Sequence, residues 1–496
     1  MAVSTVAADA RPSVEVELGG RRLRWSVERT CVASLVALPV LVFVVPALAG
    51  HPVVPGDDSS QNFPLRVLVG TDLRHGTLPL FNPFIWSGAP LLAGWNAGAA
   101  YPLTWLFALL PGVAAWTVGL AVTWWVAGIG CYLFLRASRL AAVPAWLGAV
   151  TFAFAGAMAA QVAHVGLVTG VSWVPVELLA VLRLTERRAT AAPRTTAPGG
   201  AAVAGRSGWA SWRAGWTAVL ALAVALTILA GEPRAIDDAA VVVVLYAGWR
   251  LLRSGRGRGW PLVSLVAGAA IGVGLGAVQW APGLLAVSGS QRAVRTAALF
   301  TSGSLPMRWL TLLLVPNLLG GTGSFGQPAF FATYNLTEVT GYVGILPLVA
   351  AFALLAKLRW RRRAPEWLVW HVVAVVGLVL ALGGNTPAWH LLIHVPLFGG
   401  QRLQSRNVFV LDLALALLLA YWADAWLGAR RRRRRAGTGH EAGALLGVVP
   451  ALGAVAVAVV ALAWGAGFLR WLGVTPAAAG VDGALKPWLV PSLVIG

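Results

Sequence analysis

The sequence predicts an all-α polytopic membrane protein, and three observations carry that prediction. Of its 496 residues, 58% are hydrophobic and only 11% are charged, with a mean hydropathy of +0.75. A soluble domain carries roughly 25% charged residues. The apolar residues fall in runs that, at ~1.5 Å rise per residue, can cross a ~30 Å hydrocarbon core as helices. The cationic residues, finally, gather on alternate connections between those runs.

Taken in order, residues 1–30 are polar, with Arg11, Arg21, Arg22, Arg24 and Arg29, and read as a cytoplasmic basic tail. Cys31–Gly50 is the first span. Ala47-Leu48-Ala49 resembles a signal-peptidase site, but the basic region before it is too long for a leader, so the span is read as retained. The segment 51–101 is the large first outer loop. Its prolines, among them Pro52, Pro55, Pro64 and Pro79, keep it from becoming another span. Tyr101–Pro111 reads as a short interfacial helix. The following spans are Val113–Leu135, Val143–Val162, Leu167–Leu182, Trp216–Ala230, Ala235–Trp249, Pro261–Pro282, Gly341–Ala356, Trp367–Leu382, Val408–Leu427 and Ala442–Trp464. That makes about eleven transmembrane helices by hydropathy, within a transmembrane domain over 31–464. Residues 465–496 read as an outer segment and the start of a further span at Trp488, expected to run past Gly496. The inner loop 183–215 is rich in Ala, Pro, Thr and Arg and is expected to lack fixed structure.

The charge balance, 38 Lys+Arg against 18 Asp+Glu, gives +20. Most of these cations fall on the tail, on the inner loops at Arg136/Arg139, Arg183–Arg213, Arg250–Arg258 and Lys357–Arg363, and in the Arg430–Arg435 run. A bias to one side at every inner loop is what the positive-inside rule predicts for an N-terminus in the cytoplasm. The basicity therefore reports topology and anionic inner-leaflet lipids, and nucleic acid is excluded as a partner. Cys31 and Cys131 sit in or beside apolar runs, which excludes a disulfide framework and a cysteine metal site. The 25 tryptophans read mainly as interface anchors.

With this topology nearly all remaining polar residues face outward. They are Asp57, Asp58, Gln61, Asn82 and Tyr101 in the first loop, then His164, Glu232-Pro233-Arg234, Gln291-Arg292, Tyr334-Asn335 with Glu338, and Gln401 to Arg406. A charge at a helix centre costs about 2.5–3.5 kcal/mol, so these groups should lie at span ends around a wet cavity. Acids facing arginines suit a reaction with an anionic leaving group: a carboxylate takes a proton from an attacking hydroxyl while guanidiniums hold phosphate oxygens. Each residue also has a plainer reading. Asp57 and Asp58 would turn the chain, Glu232 would cap a helix, Arg402 and Arg406 would pair with lipid phosphates, and His164 would be a satisfied interfacial histidine. Asp412 and Asp424 share one face of a span and read as structural.

The first loop carries an acid, then Gln61 and Pro64, Gly76 and Pro79, Asn82-Pro83, Gly88 and Pro90, and Tyr101-Pro102. Gly231-Glu232-Pro233, Glu338 with Gly341-Tyr342-Val343-Gly344, and Arg402 with Ser405-Arg406 follow. Over roughly residues 30–430 this pattern resembles the YfhO-like bacterial membrane proteins of the GT-C superfamily. The resemblance implies a GT-C-like helical fold and a glycosyltransferase, inverting in outcome, that uses a polyprenyl-phosphate-linked sugar donor and a glycan or lipid acceptor at the outer face of the cytoplasmic membrane. It implies a catalytic acid at Asp58 or Asp57, with Asp58 preferred for its closeness to Gln61. It also implies donor-phosphate or substrate binding by Arg402, Arg406, Glu232, Glu338, Gln61, His164, Tyr101 and Asn82. Many of the superfamily place a divalent cation, Mg²⁺ or Mn²⁺, near the acid. Asp57 and Asp58 would be its ligands here, but no His/Asp cluster at metal spacing is present, and no cofactor is assigned.

Two other classes compete. A transporter or flippase of lipid-linked sugars would want paired ionisable groups midway along spans, where this sequence has few. A glycan polymerase or ligase would want a large, late, Arg-rich outer loop, whereas the largest outer loops here follow the first and seventh spans.

Overall fold

The computed structural model describes residues 13–18, 21–186, 201–255, 258–290, 293–322, 329–332, 335–358, 364–396, 398–436, 456, 460 and 466–472. Within the basic tail, Ser13–Leu18 and Arg21–Ser26 form an antiparallel hairpin with Ser13 opposite Ser26. The first span then starts where Ser26 Oγ accepts from the Arg29 N–H and Glu28 occupies the positive first turn. Pro39 cannot donate into the helix, and one π-turn follows over Val40–Val44 before the span ends at Leu48.

Among the described residues, seven helical segments are long and apolar enough to cross a membrane: Val27–Leu48, Gly112–Ala137, Ala142–Ala163, Val165–Thr185, Ala210–Leu229, Leu368–Asn385 and Gln404–Ala429. An eighth, Gly259–Leu275 with Ala277–Ser288, is bent by 64°. The protein is therefore a multi-pass helical membrane protein. Two expected spans differ from the rest. Pro233–Arg253 is a 21-residue helix, but Asp237, Asp238 and its terminal arginines make it more polar than the others. Ile345–Ala356 has only 12 residues, because Gly344 at φ +93° holds the chain before it out of the helix. The expected span Ala442–Trp464 lies almost wholly, and the start at Trp488 wholly, outside the described residues. Of the loop 183–215 only 187–200 lie outside them, and from Ala201 the chain, expected to lack fixed structure, is the start of the helix Ala201–Leu229.

Small residues let the helices approach closely, as packing in a bilayer requires. A Cβ on Gly148 would lie 2.8 Å from Ala420 Cβ and 3.0 Å from the Ala416 carbonyl, so glycine sets the crossing of Ala142–Ala153 on the last span. Phe134, Tyr246 and Trp370 stack at 5.0–5.7 Å and join three helices in the core. Polar groups inside are matched to backbone ends. Asp412 Oδ2 accepts from the Ala157 N–H at 3.1 Å, where the third span breaks, and Asp424 Oδ1 accepts from Ala141 N–H at 2.9 Å.

The two ends of the bundle differ in chemistry. At one end Arg250 pairs with Glu366 at 3.1 Å and donates to Thr185 Oγ1 at 3.0 Å, with Arg183 on Glu186 beside them. The connections carrying Asp57, His164, Glu232, Glu338 and Arg406 meet at the other.

Candidate functional site

The first loop enters this end as a turn, Asp58–Asn62, running into the helix Phe63–Arg74. That helix is pressed onto the short helix Leu106–Leu109, with Gly70 at the contact: a Cβ there would fall 2.5 Å from the Phe107 carbonyl carbon. Asp57 and Asp58 leave the turn in opposite directions. Asp57 is exposed and lines a cavity of ≈ 560 Å³. Asp58 is fully buried; its Oδ1 accepts from Asn62 Nδ2 at 2.6 Å and from the Val165 N–H at 3.3 Å. Burial pushes its carboxyl up to about 6, only partly opposed by those two hydrogen bonds and by Arg66. Adjacent residues thus meet adjacent partners, Asp57 beside His164 and Asp58 on Val165. The pair is divided between cavity and core and does not form a joint donor set for a cation. No group of three or more His, Cys, Asp or Glu among the described residues is placed to hold a metal ion.

Four further segments complete the cavity. His164 stands between two spans with its Nε2 3.4 Å from Asp57 Oδ2 and 3.8 Å from Glu338 Oε1. Arg406 grips Glu338 with two hydrogen bonds, Nε to Oε2 at 2.7 Å and Nη2 to Oε1 at 2.6 Å, and its Nη2 is 3.0 Å from His164 Nε2. A guanidinium only donates, so Nε2 accepts and the imidazole proton belongs on Nδ1. Burial and the neighbouring Arg406 cation hold His164 below its usual range, and it stays neutral near pH 7. For Glu338, burial raises the carboxyl, but the hydrogen bonds and charge of Arg406 outweigh it and leave it below the usual carboxylate range. Gln161 Nε2 adds a bond to Glu338 Oε2 at 3.2 Å and one to the Thr337 carbonyl at 2.8 Å.

Gly231 is the joint for the third segment. Its φ is +81°, and a Cβ would lie 2.2 Å from the Trp95 carbonyl oxygen, so glycine alone fits. Glu232 follows on the cavity wall and accepts from the Arg234 N–H at 3.4 Å. Arg234 is buried; it donates to Gln404 Oε1 at 3.2 Å, Asn407 Oδ1 at 3.1 Å and the Arg402 carbonyl at 2.8 Å, and lies over the Phe398 ring. The segment carrying Arg402 and Arg406 is therefore pinned from beneath. Arg402 itself is exposed on the cavity wall, and among the described residues its guanidinium has no hydrogen-bond or ion-pair partner.

Of the residues singled out in the sequence, Asp57, Gln61, His164, Glu232, Arg234, Gln401, Arg402 and Arg406 line the cavity together, and Glu338 stands directly behind Arg406. Asp58 is adjacent but turned inward. Tyr101 is buried, its hydroxyl accepting from Trp173 Nε1 at 3.1 Å, and burial pushes it up to about 12. Asn82 is also buried; its Oδ1 accepts from the Phe84 N–H at 2.9 Å and shapes a turn. Neither Tyr101 nor Asn82 is on the cavity wall. Gln291, Arg292 and Tyr334 lie outside the described residues. The wall also includes Asn62, Trp86, Trp95 and Asn96, which the motif pattern did not single out, and Gln161 was missed behind it. Gln161 precedes His164 by three residues, a spacing that puts both on one helical face.

Fold and cavity together define a multi-pass helical membrane protein whose end-of-bundle cavity offers the exposed carboxylate of Asp57 beside His164 and the guanidinium of Arg402, unengaged among the described residues. No protein-family model matches the chain, and no curated protein matches it. Among solved structures the chain is similar to ArnT from Cupriavidus metallidurans bound to undecaprenyl phosphate, at 16% identity over 93% of this chain and 76% of that one, with a TM-score of 0.40.

Proposed function

We propose that this chain is a glycosyltransferase of the GT-C type, YfhO-like in its motifs, that moves a sugar from a polyprenyl-phosphate donor to a cell-envelope glycan or lipid acceptor. The observation that carries the reading is the division of labour on one cavity wall: Asp57 and Arg402 face the space, while Arg406 is occupied by Glu338. Asp57 takes the proton from the acceptor hydroxyl as its oxygen attacks the anomeric carbon. The bond from that carbon to the phosphate oxygen breaks, and polyprenyl phosphate leaves as an anion held by Arg402. The proton ends on Asp57 and passes to solvent. Neutral His164, whose Nε2 already accepts from Arg406, does not compete with Asp57 as the base. Asp58 takes the positioning role, anchoring the turn on Val165. The cavity belongs on the outer face of the bacterial cytoplasmic membrane, since the Arg-rich connections gather at the other end.

The test is sugar transfer from a polyprenyl-phosphate-linked donor by the purified protein. Asp57→Asn should abolish turnover by 10²-fold or more, the usual scale for a general base, and keep its fold, whereas Asp58→Asn should retain measurable turnover. Full activity in Asp57→Asn ends this assignment.

A flippase of lipid-linked sugars is favoured by one observation, the 64° break in the eighth span. The mid-span acid Glu177 does not strengthen it, because Thr227 Oγ1 donates to Glu177 Oε1 at 2.8 Å in a closed core contact. Net movement of a labelled lipid-linked sugar across vesicles without transfer would select that reading.

A further inference from the structure

The first loop contains a feature that the cavity does not use. From Gly76 to Gly94 it has no charged residue, although the loop is otherwise the most polar outer segment of the chain. Within this stretch Phe81–Asn82 pairs with Ala89–Pro90 in a short antiparallel hairpin, Phe81 opposite Pro90. The Leu91 N–H donates to the Leu80 carbonyl and the Gly88 N–H to the Ile85 carbonyl, both at 2.8 Å, so the hairpin is held by its own backbone. Its tip turns through three successive left-handed residues, Trp86, Ser87 and Gly88, at φ +47°, +62° and +113°. Two of these are not glycine, and the backbone spends strain to point side chains outward. Those side chains are Leu78, Leu80, Phe81, Phe84, Ile85 and Trp86, all exposed, with Leu78 at 74%, Phe84 at 80% and Trp86 at 90%.

A contiguous apolar patch of this kind marks a surface meant to be covered. Its position selects the cover. The loop is tethered between two membrane helices, Val27–Leu48 and Gly112–Ala137, and its later part exposes Leu109 and Leu110 just ahead of the second. Trp86 lines the cavity with Ala286 and Val287 of the bent span, and the same helix exposes Leu284 and Leu285. The hairpin patch therefore stands beside a membrane-crossing helix that itself exposes apolar side chains. Aromatic and aliphatic tips without charge are the composition that partitions into a bilayer interface.

We infer that the Leu78–Trp86 hairpin is inserted into the interfacial zone of the bilayer and anchors the first loop, with Trp86 at the junction of cavity and lipid. This does not depend on the proposed chemistry. Both native cysteines are buried, so an environment-sensitive fluorophore can be attached at Phe84→Cys, with the unaltered chain as the labelling control. The labelled protein is placed in nanodiscs of phosphatidylethanolamine and phosphatidylglycerol. The expected result is blue-shifted emission, with stronger quenching by a nitroxide on the lipid acyl chain than by aqueous iodide. Adding Ile85→Glu and Trp86→Glu should reverse that order. Stronger quenching by iodide in the parent would overturn the inference. Protection from both quenchers would also overturn it, because the patch would then be covered by protein, whether a second copy or a partner. A second label at Leu78→Cys reads the same order if Phe84→Cys fails to fold.

Discussion

The Arg406–Glu338 pair offers the sharpest energetic test of how the cavity is built. Its two hydrogen bonds of 2.7 and 2.6 Å are bidentate, and both side chains are largely buried, at 12% and 7% exposure. Charge-assisted pairs of this geometry are about twice as strong as neutral ones. Removing one partner of a buried pair costs about 3–5 kcal/mol, mainly because the other charge is left uncompensated. Glu338→Gln keeps the shape and the contact with Gln161 but leaves Arg406 unpaired beside neutral His164. The lower end, about 3 kcal/mol, is expected, since the cavity admits some water. Arg406→Gln should cost a similar amount by stranding Glu338. The double variant should cost much less than the two singles together, a coupling of about 2–3 kcal/mol within the range seen for contacting pairs. Equilibrium unfolding in mixed micelles measures all four proteins. A coupling under about 0.5 kcal/mol, the level of independent sites, would refute the claim that Arg406 is spent on Glu338 and would return it to the phosphate.

Four further outcomes follow from the geometry. Arg402→Ala should weaken binding of polyprenyl phosphate, read by native mass spectrometry, while leaving thermal stability nearly unchanged because Arg402 is exposed. Arg234→Met should lower stability by about 2 kcal/mol or more by leaving Asn407 Oδ1 and the Arg402 carbonyl without their donor and Gln404 Oε1 with Asn407 Nδ2 alone, and hydrogen exchange should show lost protection over 400–407. Asp58 titrates near 6 in the fold against about 3.9 when unfolded, so the folded state binds its proton more tightly. Its contribution to stability is therefore greatest at low pH, falls as pH rises from about 4 to 6 and is flat above, on the order of 2–3 kcal/mol in all. Asp58→Asn should remove that slope, and an unchanged pH profile would show that Asp58 is not buried as described. Gly231→Ala should unfold the joint or cost about 3 kcal/mol, from the Trp95 clash added to the left-handed backbone.

The spans were legible because apolar run length is a one-dimensional property. Gly112–Ala137 and Leu368–Asn385 fall within a few residues of their expected bounds. Pro233–Arg253 was found but read short, as Ala235–Trp249, because Asp237, Asp238 and its terminal arginines lower the hydropathy of a helix of full length. Ile345–Ala356 was overextended because Gly341 to Gly344 reads as apolar while the φ of Gly344 breaks the helix. The outer polar residues were legible as a set from topology, and eight of them do share one cavity. Their division of labour was not. Whether Asp57 or Asp58 faces the cavity depends on where the His164-Val165 step arrives, more than a hundred residues later. Likewise nothing near Arg402 and Arg406 in the chain reveals that Glu338 claims one of them and Arg234 holds the backbone of the other. Tyr101 and Asn82 belong to recurrent short motifs, but their polar atoms are consumed by Trp173 and by a turn.

The most direct measurement is a structure of this protein with polyprenyl phosphate bound. The phosphate should sit in the ≈ 560 Å³ cavity within hydrogen-bond reach of Arg402, with Asp57 lining the same cavity and the Arg406–Glu338 pair intact. A phosphate bound away from Arg402, or one that had drawn Arg406 off Glu338, would contradict the account.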